Sequence, residues 1–301
     1  DTEGSNPQPL SNAMEESIQK AAVLIEALPY IREFEGKTVV IKYGGAAMLD
    51  PRLRGSTAED IVLMKYVGMN PIVVHGGGPA ISRTLDRMDV ETAFSPQGLR
   101  ITSDAAIEVV EMVLAGGVNK DVVRLLNQAG GNAVGLSGKD GKLLYARKLE
   151  SEDGADLGHV GRITAVHPQP IQVLCAADMI PVIAPIATDA AGGTWNVNAD
   201  TAAGEIAVAL QAEKLVFLTD TPGLLRDVND PDSLLHQLEA HAVAQRKEQG
   251  VLAGGMAPKV DACLRALECG VRKTHIIDGR VSHSLLLEIF TKKGLGTLVT
   301  A

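Results

Sequence analysis

The sequence predicts an α/β fold, a three-layer αβα sandwich around a mainly parallel central sheet. Short apolar segments typical of buried strands alternate with helical segments along most of the 301 residues. Glycine-rich turns directly follow two of these strands, an arrangement that lets a backbone approach a ligand closely. The chain is long enough for two lobes or one large α/β domain.

The composition fits a core of aliphatic residues, since 46% of the residues are hydrophobic and only 3% are aromatic. A net charge of −9 argues against nucleic acid or a membrane surface as a partner, because no broad basic field is available. No apolar run approaches the roughly 18 residues of a membrane span. We expect no protein metal site, because the cysteines lack ligand spacing and are typical of reduced intracellular thiols; they are Cys175, Cys263 and Cys269.

Residues 1–36 are predicted to form a disordered tail and a helix, ahead of a main domain at residues 37–301. Apolar residues recur at helical spacing between Asn12, a candidate cap, and Pro29, the expected end of the helix. The apolar face of this helix needs a cover. Packing on its own domain and packing on a partner subunit both fit the pattern.

The first predicted strand, residues 39–41, is a run of β-branched residues that leads to Lys42. Gly44 and Gly45 follow at once, where glycines let the backbone approach an anion and the lysine supplies a point charge. A simple turn beside a solvated lysine is the alternative interpretation. Further on, the capping-box pattern at residues 56–59 predicts the start of a helix.

The second predicted strand, residues 71–74, ends in His75 and a second glycine loop, which includes Gly77 and Gly78. Helix 80–88 follows, so the order of strand, glycine loop and helix is repeated. The loop lacks the third glycine of a dinucleotide fingerprint. No segment completes a P-loop or the motif set of a protein kinase.

The rest of the chain continues the alternation of strands and helices. Arg100 lies in a loop among apolar residues, where it is either a solvated arginine or a bidentate partner for a carboxylate. Strands 133–136 and 143–146 are predicted to flank a turn at residues 139–141, and residues 150–156 to form an acidic surface loop. The other predicted strands are 179–186, 214–219, 274–277 and 297–299, and the other helices are 104–114, 119–128, 201–210, 259–268 and 284–290.

A third glycine segment, residues 254–259, ends in Pro258 and Lys259. Proline suits the first turn of a helix, so Lys259 lies at a helix N-terminus, where the helix dipole disfavours a purely structural lysine. That position indicates an anionic partner. Asp200 also begins a helix, and taken alone it is explained as an acid favoured by the dipole.

The carboxyl ends of parallel strands share one edge of a sheet, and ligands bind there. Lys42, His75 and Asp220 each mark the end of a predicted strand, so we expect them at that edge. Two glycine loops would collect anions between the lysines. The sequence therefore predicts a phosphate-handling site that is neither a P-loop nor a Rossmann site.

Six motifs resemble the amino acid kinase family, and within it the acetylglutamate kinases, over residues 36–299. In chain order they are KYGG, HGGGP, GLRIT, NVNAD, LTD and GGMAPK. Each motif alone is weak, whereas six in order are specific. The resemblance implies that ATP, with Mg²⁺ bridging its phosphates, phosphorylates the side-chain carboxylate of N-acetyl-L-glutamate in arginine synthesis.

The resemblance also implies a role for each site residue. Lys42 and Lys259 contact the transferring phosphoryl group and Asp200 orients both; no general base is required, because the attacking carboxylate is already ionised. Backbone N–H groups are implied to bind the anion at four glycines: Gly44, Gly45, Gly77 and Gly78. A lobe of about residues 37–198 is implied to bind acetylglutamate through Arg100, Asn196 and Asn198. A lobe of about residues 199–301 is implied to bind the nucleotide through Thr219, Asp220, Gly223, Gly254, Gly255 and Met256.

The N-terminal helix and the C-terminal segment resemble the arginine-inhibited, hexameric branch of this group, most of all its plant and algal members. This implies a homohexamer, a trimer of dimers joined by the helix. It also implies a location in the plastid stroma, with bacterial cytoplasm as the alternative, and a PII signalling protein as a candidate partner. The residues implied for the arginine site are Lys214, His275, Glu288 and Gly294.

Two rival functions are compatible with these motifs. Another amino acid kinase, acting on aspartate, glutamate or carbamate, is the nearer rival, although the motifs around Arg100 and Asn196 favour acetylglutamate. A non-catalytic arginine sensor on the same fold is the second. The presence of both lysines and Asp200 counts against it.

Overall fold

The structure is a computed structural model that describes residues 12–151, 154–227, 229–230, 232–248, 256–291 and 294–301. It is an α/β protein, as predicted. The helices are α1 (Asn12–Phe34), α2 (Ala46–Leu49), α3 (Pro51–Tyr66), α4 (Gly78–Arg87), α5 (Asp104–Glu111), α6 (Asn119–Gln128), α7 (Gln169–Ala176), α8 (Ala199–Ala209), α9 (Ala240–Glu248), α10 (Ala257–Glu268) and α11 (Ser284–Phe290), with a π-helical segment at Met112–Val118 and a 3₁₀ turn at Asp140–Lys142. The strands are β1 (Thr38–Tyr43), β2 (Asn70–His75), β3 (Ala93–Phe94), β4 (Arg100–Ile101), β5 (Ala133–Ser137), β6 (Leu144–Lys148), β7 (Gly161–Val166), β8 (Ile180–Ala184), β9 (Ile186–Thr188), β10 (Thr194–Asn196), β11 (Lys214–Thr219), β12 (Gln237–Glu239), β13 (Lys273–Asp278) and β14 (Thr297–Thr300).

An eight-stranded sheet has the strand order β12-β14-β13-β11-β1-β2-β8-β5. All neighbouring pairs in it are parallel except β13 with β14, so the prediction of a mainly parallel sheet is confirmed. Strands β11, β1 and β2 are adjacent. Their carboxyl ends therefore bring Asp220, Lys42 and His75 to one edge, as the sequence predicts.

Hydrophobic clusters on both faces of this sheet give the three layers. In β1, Val40 packs into one cluster while Val39 and Ile41 pack into the other, because successive residues of a strand face opposite sides. Helices α8 and α10 cover the face of Val40, and α3, α6 and α11 cover the opposite face. The β-branched run of β1 is completely buried, as expected for a parallel strand between two helical layers.

The turn at residues 139–141 does not join a hairpin, which corrects the prediction. Strand β5 belongs to the large sheet, whereas β6 pairs with β7 and β9 in a four-stranded sheet ordered β10-β9-β6-β7. Asp140 accepts hydrogen bonds from the N–H and Oγ of Ser137, at 2.6 and 3.0 Å, and so directs the chain into the 3₁₀ turn. Strand β7 and helix α7 have no counterpart among the predicted elements, and the acidic loop lies partly outside the described residues.

Helix α3 begins at Pro51, so the prediction of a capping box at residues 56–59 is wrong. Asp50 caps the helix and accepts a hydrogen bond from the N–H of Arg52 at 2.8 Å. Ser56 is buried inside the helix and donates to the carbonyl oxygen of Leu53 at 3.2 Å. The earlier aspartate and proline form the stronger start signal.

Helix α1 continues to Phe34 instead of ending before Pro29. A proline in a helix removes one backbone hydrogen bond, and burial of the Phe34 side chain favours continuation of the helix. Residues 1–11 and the side chain of Asn12 lie outside what the structure describes, and the predicted tail and cap with them. The side chains of Val23 and Ile25 are 65% and 70% exposed, so an apolar face of α1 is uncovered in this chain. No described helix combines the length and hydropathy that a membrane-spanning segment requires.

Candidate active site

Three charged side chains from different elements converge at the carboxyl edge of the sheet. Lys42 comes from β1, Asp200 from the first turn of α8 and Lys259 from the first turn of α10. The Nζ atom of each lysine lies 3.0 Å from a carboxylate oxygen of Asp200. The three side chains are 11%, 7% and 15% exposed in that order, so the cluster is largely removed from water.

Asp200 is ionised and the cluster carries one net positive charge. Burial alone would raise the pKa of Asp200, but the two ammonium groups and their hydrogen bonds outweigh burial and lower it. Asp200 is therefore more than an acid at a helix N-terminus. It holds two lysines at fixed positions at the carboxyl edge of the sheet.

The first glycine loop is shaped by close contacts with charged side chains. A Cβ atom on Gly44 would lie 2.6 Å from Nζ of Lys42, and Gly45 has a φ of +64°. The N–H of Ala46 donates a hydrogen bond to the carboxylate of Asp220, at the end of β11. This contact ties the β1 loop to the neighbouring strand, so both predicted strand ends belong to one site.

The second glycine loop approaches the π-helical segment. Gly77 lies at the N-cap of α4, and a Cβ atom there would overlap a methyl group of Leu114. The N–H of Gly76 donates to the carbonyl oxygen of Tyr43 at 2.8 Å. The two loops are thereby joined through the backbone, and the first turn of α4 opens toward the site.

A pocket of about 190 Å³ lies next to these loops, and Gly77, Gly78, Arg100, Asn196 and Asn198 line it. Arg100 is buried, and its Nη2 donates to Oγ of Ser82 at 2.7 Å and to the carbonyl oxygen of Gly78 at 3.2 Å. Burial lowers the pKa of Arg100, with Asp86 acting in the opposite direction. Its Nη1 has no partner among the described residues, which leaves a buried donor for a carboxylate.

The two asparagines predicted to contact the substrate, Asn196 and Asn198, have different hydrogen-bond partners in the protein. The Nδ2 of Asn196 donates to Oγ1 of Thr102 at 3.1 Å. The Oδ1 of Asn198 caps α8 by accepting from the N–H groups of Asp200 and Thr201, at 2.8 and 3.1 Å. Asn198 therefore positions the helix turn that carries Asp200, whatever contact it makes with a substrate.

Comparison with known proteins agrees with this geometry. The sequence profile of the amino acid kinase family matches residues 37–278. The chain is 54% identical over 284 residues to the acetylglutamate kinase of Thermoanaerobacter pseudethanolicus, which covers 94% of each chain. It is 53% identical over 294 residues to that of Heliobacterium modesticaldum, covering 95% of this chain and 99% of the relative. The chain belongs to the amino acid kinase family, among its acetylglutamate kinases.

A related fold is found in the N-acetylglutamate synthase from Neisseria gonorrhoeae. Its structure complexed with coenzyme A and N-acetyl-glutamate has a TM-score of 0.82 and 29% identity to this chain. The match covers 93% of this chain and 63% of the synthase, so the chain spans less than two thirds of that protein. The same synthase complexed with coenzyme A and L-arginine has a TM-score of 0.78 and 27% identity.

Of the residues predicted to contact the nucleotide, Thr219 ends β11, Asp220 and Gly223 follow it, and Met256 precedes α10. The Oγ1 of Thr219 lies within hydrogen-bond distance of the carbonyl oxygens of Thr221 and Ile277, at 2.8 and 3.2 Å, and has one hydrogen to donate. Gly223 has a φ of +147°, and a Cβ atom there would lie 2.6 Å from Oγ1 of Thr297. Met256 packs beside the cluster that contains α8 and α10. Gly254 and Gly255 lie outside the described residues.

A second cavity, of about 380 Å³, brings together the four residues predicted for an arginine site: Lys214, His275, Glu288 and Gly294. Lys214 begins β11 and Thr219 ends it, so this cavity is separated from the strand-end site by roughly 17 Å of strand. The Nδ1–H of His275 donates to Glu288 at 2.6 Å, and the N–H groups of Leu295 and Gly296 donate at 2.7 and 3.1 Å.

The electrostatics of this cavity depend on burial and on those hydrogen bonds. Burial lowers the pKa of His275 and keeps the ring neutral, although Glu288 acts in the opposite direction. Burial would raise the pKa of Glu288, but the bonds from His275 and the backbone lower it overall. Burial also lowers the pKa of Lys214 to about 8, and its Nζ lies 4.3 Å from the ring centroid of Phe34. The cavity thus offers an anionic carboxylate beside an aromatic ring.

The sequence did not indicate three residues that support the pocket. Ser82 holds Arg100, the ring of Phe94 lies 4.6 Å from the guanidinium carbon, and Asn119 is a buried amide beside His75. Ser82 follows Gly78 by one helical turn, which is a signal that could have been used. Phe94 lies opposite Arg100 in the short β3–β4 pair, which the sequence analysis did not predict, and the contact of Asn119 with His75 joins distant segments, which one sequence does not reveal.

Proposed function

We propose that this chain transfers the γ-phosphoryl group of ATP to the side-chain carboxylate of N-acetyl-L-glutamate, as its closely similar relatives are named to do. The observation that carries the proposal is the buried cluster of Lys42, Asp200 and Lys259 beside a pocket containing Arg100. Phosphoryl transfer to a carboxylate needs charge neutralisation and alignment more than proton transfer. The cluster supplies both without a general base.

In this proposal each residue of the site has a role that follows from its chemistry. The two lysines neutralise charge that develops on the phosphoryl oxygens, and Asp200 keeps both in place without contacting substrate. Arg100 binds the α-carboxylate with its buried Nη1, so the side-chain carboxylate is directed toward the lysines. Backbone N–H groups of the glycine loops complete the anion site.

Mg²⁺ enters with ATP, and it neutralises phosphate charge when bound. Among the described residues, no group of three or more histidines, cysteines or carboxylates could hold a metal ion. Asp220 follows β11 at the site, and its carboxylate accepts a hydrogen bond from the β1 loop. Mg²⁺ retains several waters and needs only one or two protein carboxylates, so this donor set fits an ion carried by the nucleotide.

The test is an assay of purified protein with ATP and one of four acceptors: N-acetyl-L-glutamate, L-glutamate, L-aspartate or carbamate. An acyl phosphate reacts with hydroxylamine to give a coloured hydroxamate, which separates product formation from ATP hydrolysis. We expect a product with N-acetyl-L-glutamate and much less with the others. Preference for another acceptor would support the rival amino acid kinase, and no transfer with any acceptor would support the sensor.

We also propose that the second cavity binds L-arginine as an inhibitor. The support is its chemistry: the guanidinium of arginine is complementary to the ionised Glu288 in this cavity. The related synthase has been solved with L-arginine. Calorimetry with the Glu288→Gln variant should show weak arginine binding and an unchanged response to N-acetyl-L-glutamate.

The remaining proposals rest on the sequence resemblance. The first is a homohexamer, a trimer of dimers that α1 joins. The second is a division into an acetylglutamate lobe of about residues 37–198 and a nucleotide lobe of about residues 199–301. The third is a location in the plastid stroma, with bacterial cytoplasm as the alternative. A PII signalling protein is the proposed partner, and pull-down at each nucleotide state without co-elution would contradict it.

A further inference from the structure

A fully buried polar network lies behind the second glycine loop, and none of the roles described so far includes it. His75, the last residue of β2, and Asn119, the first residue of α6, are both inaccessible to solvent. Asn119 follows the π-helical segment whose Leu114 and Val118 pack on Gly77. The segment therefore places an amide and an apolar contact on the same loop.

The orientation of the Asn119 amide is fixed by partners that can only donate or only accept. Its Oδ1 accepts from Nζ of Lys120 at 3.0 Å. Its Nδ2 has two hydrogens to share among three acceptors, two of which are the carbonyl oxygen of Val182 at 3.0 Å and that of Leu136 at 3.3 Å. Nδ2 also lies 3.1 Å from Nε2 of His75, so Nε2 must be the acceptor in that contact.

The second nitrogen of His75 must then carry the hydrogen. Nδ1 lies 2.9 Å from the carbonyl oxygen of Gly76, which can only accept. Burial, together with the nearby Lys120, lowers the pKa of His75 to about 4, although the bond to Gly76 acts in the opposite direction. The ring is therefore neutral at physiological pH, in the Nδ1–H tautomer, with both nitrogens satisfied.

The hydrogen bond to Gly76 has a stereochemical consequence for Gly77. In a trans peptide the C=O of one residue and the N–H of the next point in opposite directions. The chain contains no cis peptide bond among the described residues. When His75 binds the Gly76 oxygen on the buried side, the Gly77 N–H is directed away from it, and Gly77 lines the substrate pocket.

We propose that His75, held by Asn119, is a positioning residue that aims the Gly77 N–H at the anionic group in the pocket. This role rests on the proposed function, since it assumes that the group is the transferring phosphoryl or its acceptor carboxylate. His75 contacts no substrate and exchanges no proton. It fixes the plane of the Gly76–Gly77 peptide. Without this hydrogen bond that peptide could adopt several orientations, because glycine restricts the backbone least.

Two substitutions separate the two hydrogen bonds of the ring. The amide of an asparagine reaches the place of Nδ1, and the amide of a glutamine reaches the place of Nε2. We expect His75→Gln to lower kcat by roughly ten- to a hundredfold with a small change in the KM for ATP, as for a misaligned donor. His75→Asn should recover most of that loss, because it retains the donor to Gly76.

A matched pair in α6 controls for stability. Asn119→Ala removes the partner of His75. Asn127→Ala removes a hydrogen bond that the Oδ1 of Asn127 accepts from the N–H of Ala133 at 2.7 Å, and this bond does not involve the second glycine loop. Both should lower the melting temperature, but only Asn119→Ala should lower kcat. Equal kcat losses for His75→Gln and His75→Asn, or an unchanged kcat in Asn119→Ala, would overturn the proposal.

One measurement is independent of the substrate. Solid-state NMR of sedimented wild-type protein with ¹⁵N-labelled histidine, with His75 assigned from the His75→Gln spectrum, should show a protonated Nδ1 and an unprotonated Nε2 from pH 6 to 8. A protonated Nε2 would overturn the positioning role even if every variant failed to fold. Wild-type protein that shows the Nδ1–H tautomer but does not phosphorylate N-acetyl-L-glutamate would instead contradict the proposed function alone.

Discussion

At the scale of single residues, the site is governed by two cations that share one buried anion. Asp200 cannot neutralise both lysines, so one positive charge is left, and in the proposed function it acts on the phosphoryl group. We expect Lys42→Ala and Lys259→Ala each to lower kcat by on the order of 10²–10³, the cost of one transition-state donor, with smaller changes in KM. Steady-state kinetics with the hydroxamate assay measures this effect.

The matched control is Lys139→Ala. Lys139 is a partly exposed lysine that pairs with Glu111 at 2.8 Å and has no place in the cluster. It should retain kcat, because a surface ion pair contributes little to either stability or chemistry. A near-normal kcat for either cluster variant would show that its lysine does not stabilise the transition state.

Arg100 allows a second residue-scale prediction, because lysine keeps its charge but not its forked geometry. Arg100→Lys should raise the KM for N-acetyl-L-glutamate by about tenfold or more and leave the KM for ATP nearly unchanged. Initial rates with each substrate varied in turn provide the comparison. Equal effects on both substrates would place Arg100 outside the acetylglutamate pocket.

The lowered pKa of His75 also predicts how the free energy of unfolding depends on pH. Its folded pKa, about 4, is below the unfolded value of about 6.5, so the unfolded chain binds the proton first as the pH falls. Stability is therefore lost between about pH 6.5 and 4, by roughly 2 kcal/mol at pH 5. His75→Asn lacks this term, so its stability deficit at pH 7.5 should shrink at pH 5. Urea unfolding at both pH values tests this, and a constant deficit would mean that His75 titrates normally.

At the scale of secondary-structure elements, the start of α8 links stability to chemistry. Asn198→Ala removes the N-cap and should cost about 1 kcal/mol of stability. It should also lower kcat, because the first turn that carries Asp200 loses two hydrogen bonds. Asn198→Ser should restore stability and much of kcat. If serine restores stability but the KM for N-acetyl-L-glutamate rises, the asparagine contacts substrate as well.

The elements also show why some starts and ends were predictable and others were not. The pattern at residues 56–59 matches a capping box, yet a capping box acts only at the N-terminus of a helix. Asp50 and Pro51 start α3 before that pattern, so residues 56–59 lie inside the helix. Pro29 was expected to end α1, but the cost of one lost hydrogen bond did not stop a helix whose last residue is buried. At α3 a stronger local signal upstream overruled the capping-box pattern, whereas at α1 the burial of Phe34, which the sequence does not display, overruled the proline.

At the scale of the whole molecule, the parallel sheet was predictable because it depends on repeated local patterns. Buried strands followed by glycine loops and helices place the strand ends along one edge of the sheet, and Lys42, His75 and Asp220 do lie at the ends of three adjacent strands. The four-stranded sheet was not predictable, since β7 lacks a regular alternation of buried and exposed residues and pairs with β6 only through the fold. The partners of Arg100 and His75 were hidden for the same reason.

The last prediction concerns α1 and assembly. Its exposed apolar residues, such as Val23 and Ile25, need a cover, while Phe34 is buried and lines the second cavity with Tyr30. A chain that begins at Pro29 loses the exposed part and keeps the cavity. We expect it to retain kcat and arginine binding, to have the mass of a dimer, and to be poorly inhibited by arginine, because an effector acts only by binding two arrangements differently.

Light scattering, calorimetry and activity at increasing arginine concentration measure the three properties on one sample. A second chain beginning at Gly36 also removes Phe34, so it should bind arginine more weakly and unfold at a lower temperature. The difference between the two truncations separates the cavity from the assembly. A Pro29 truncation that remains hexameric and fully inhibited would show that α1 is not the element that joins the dimers.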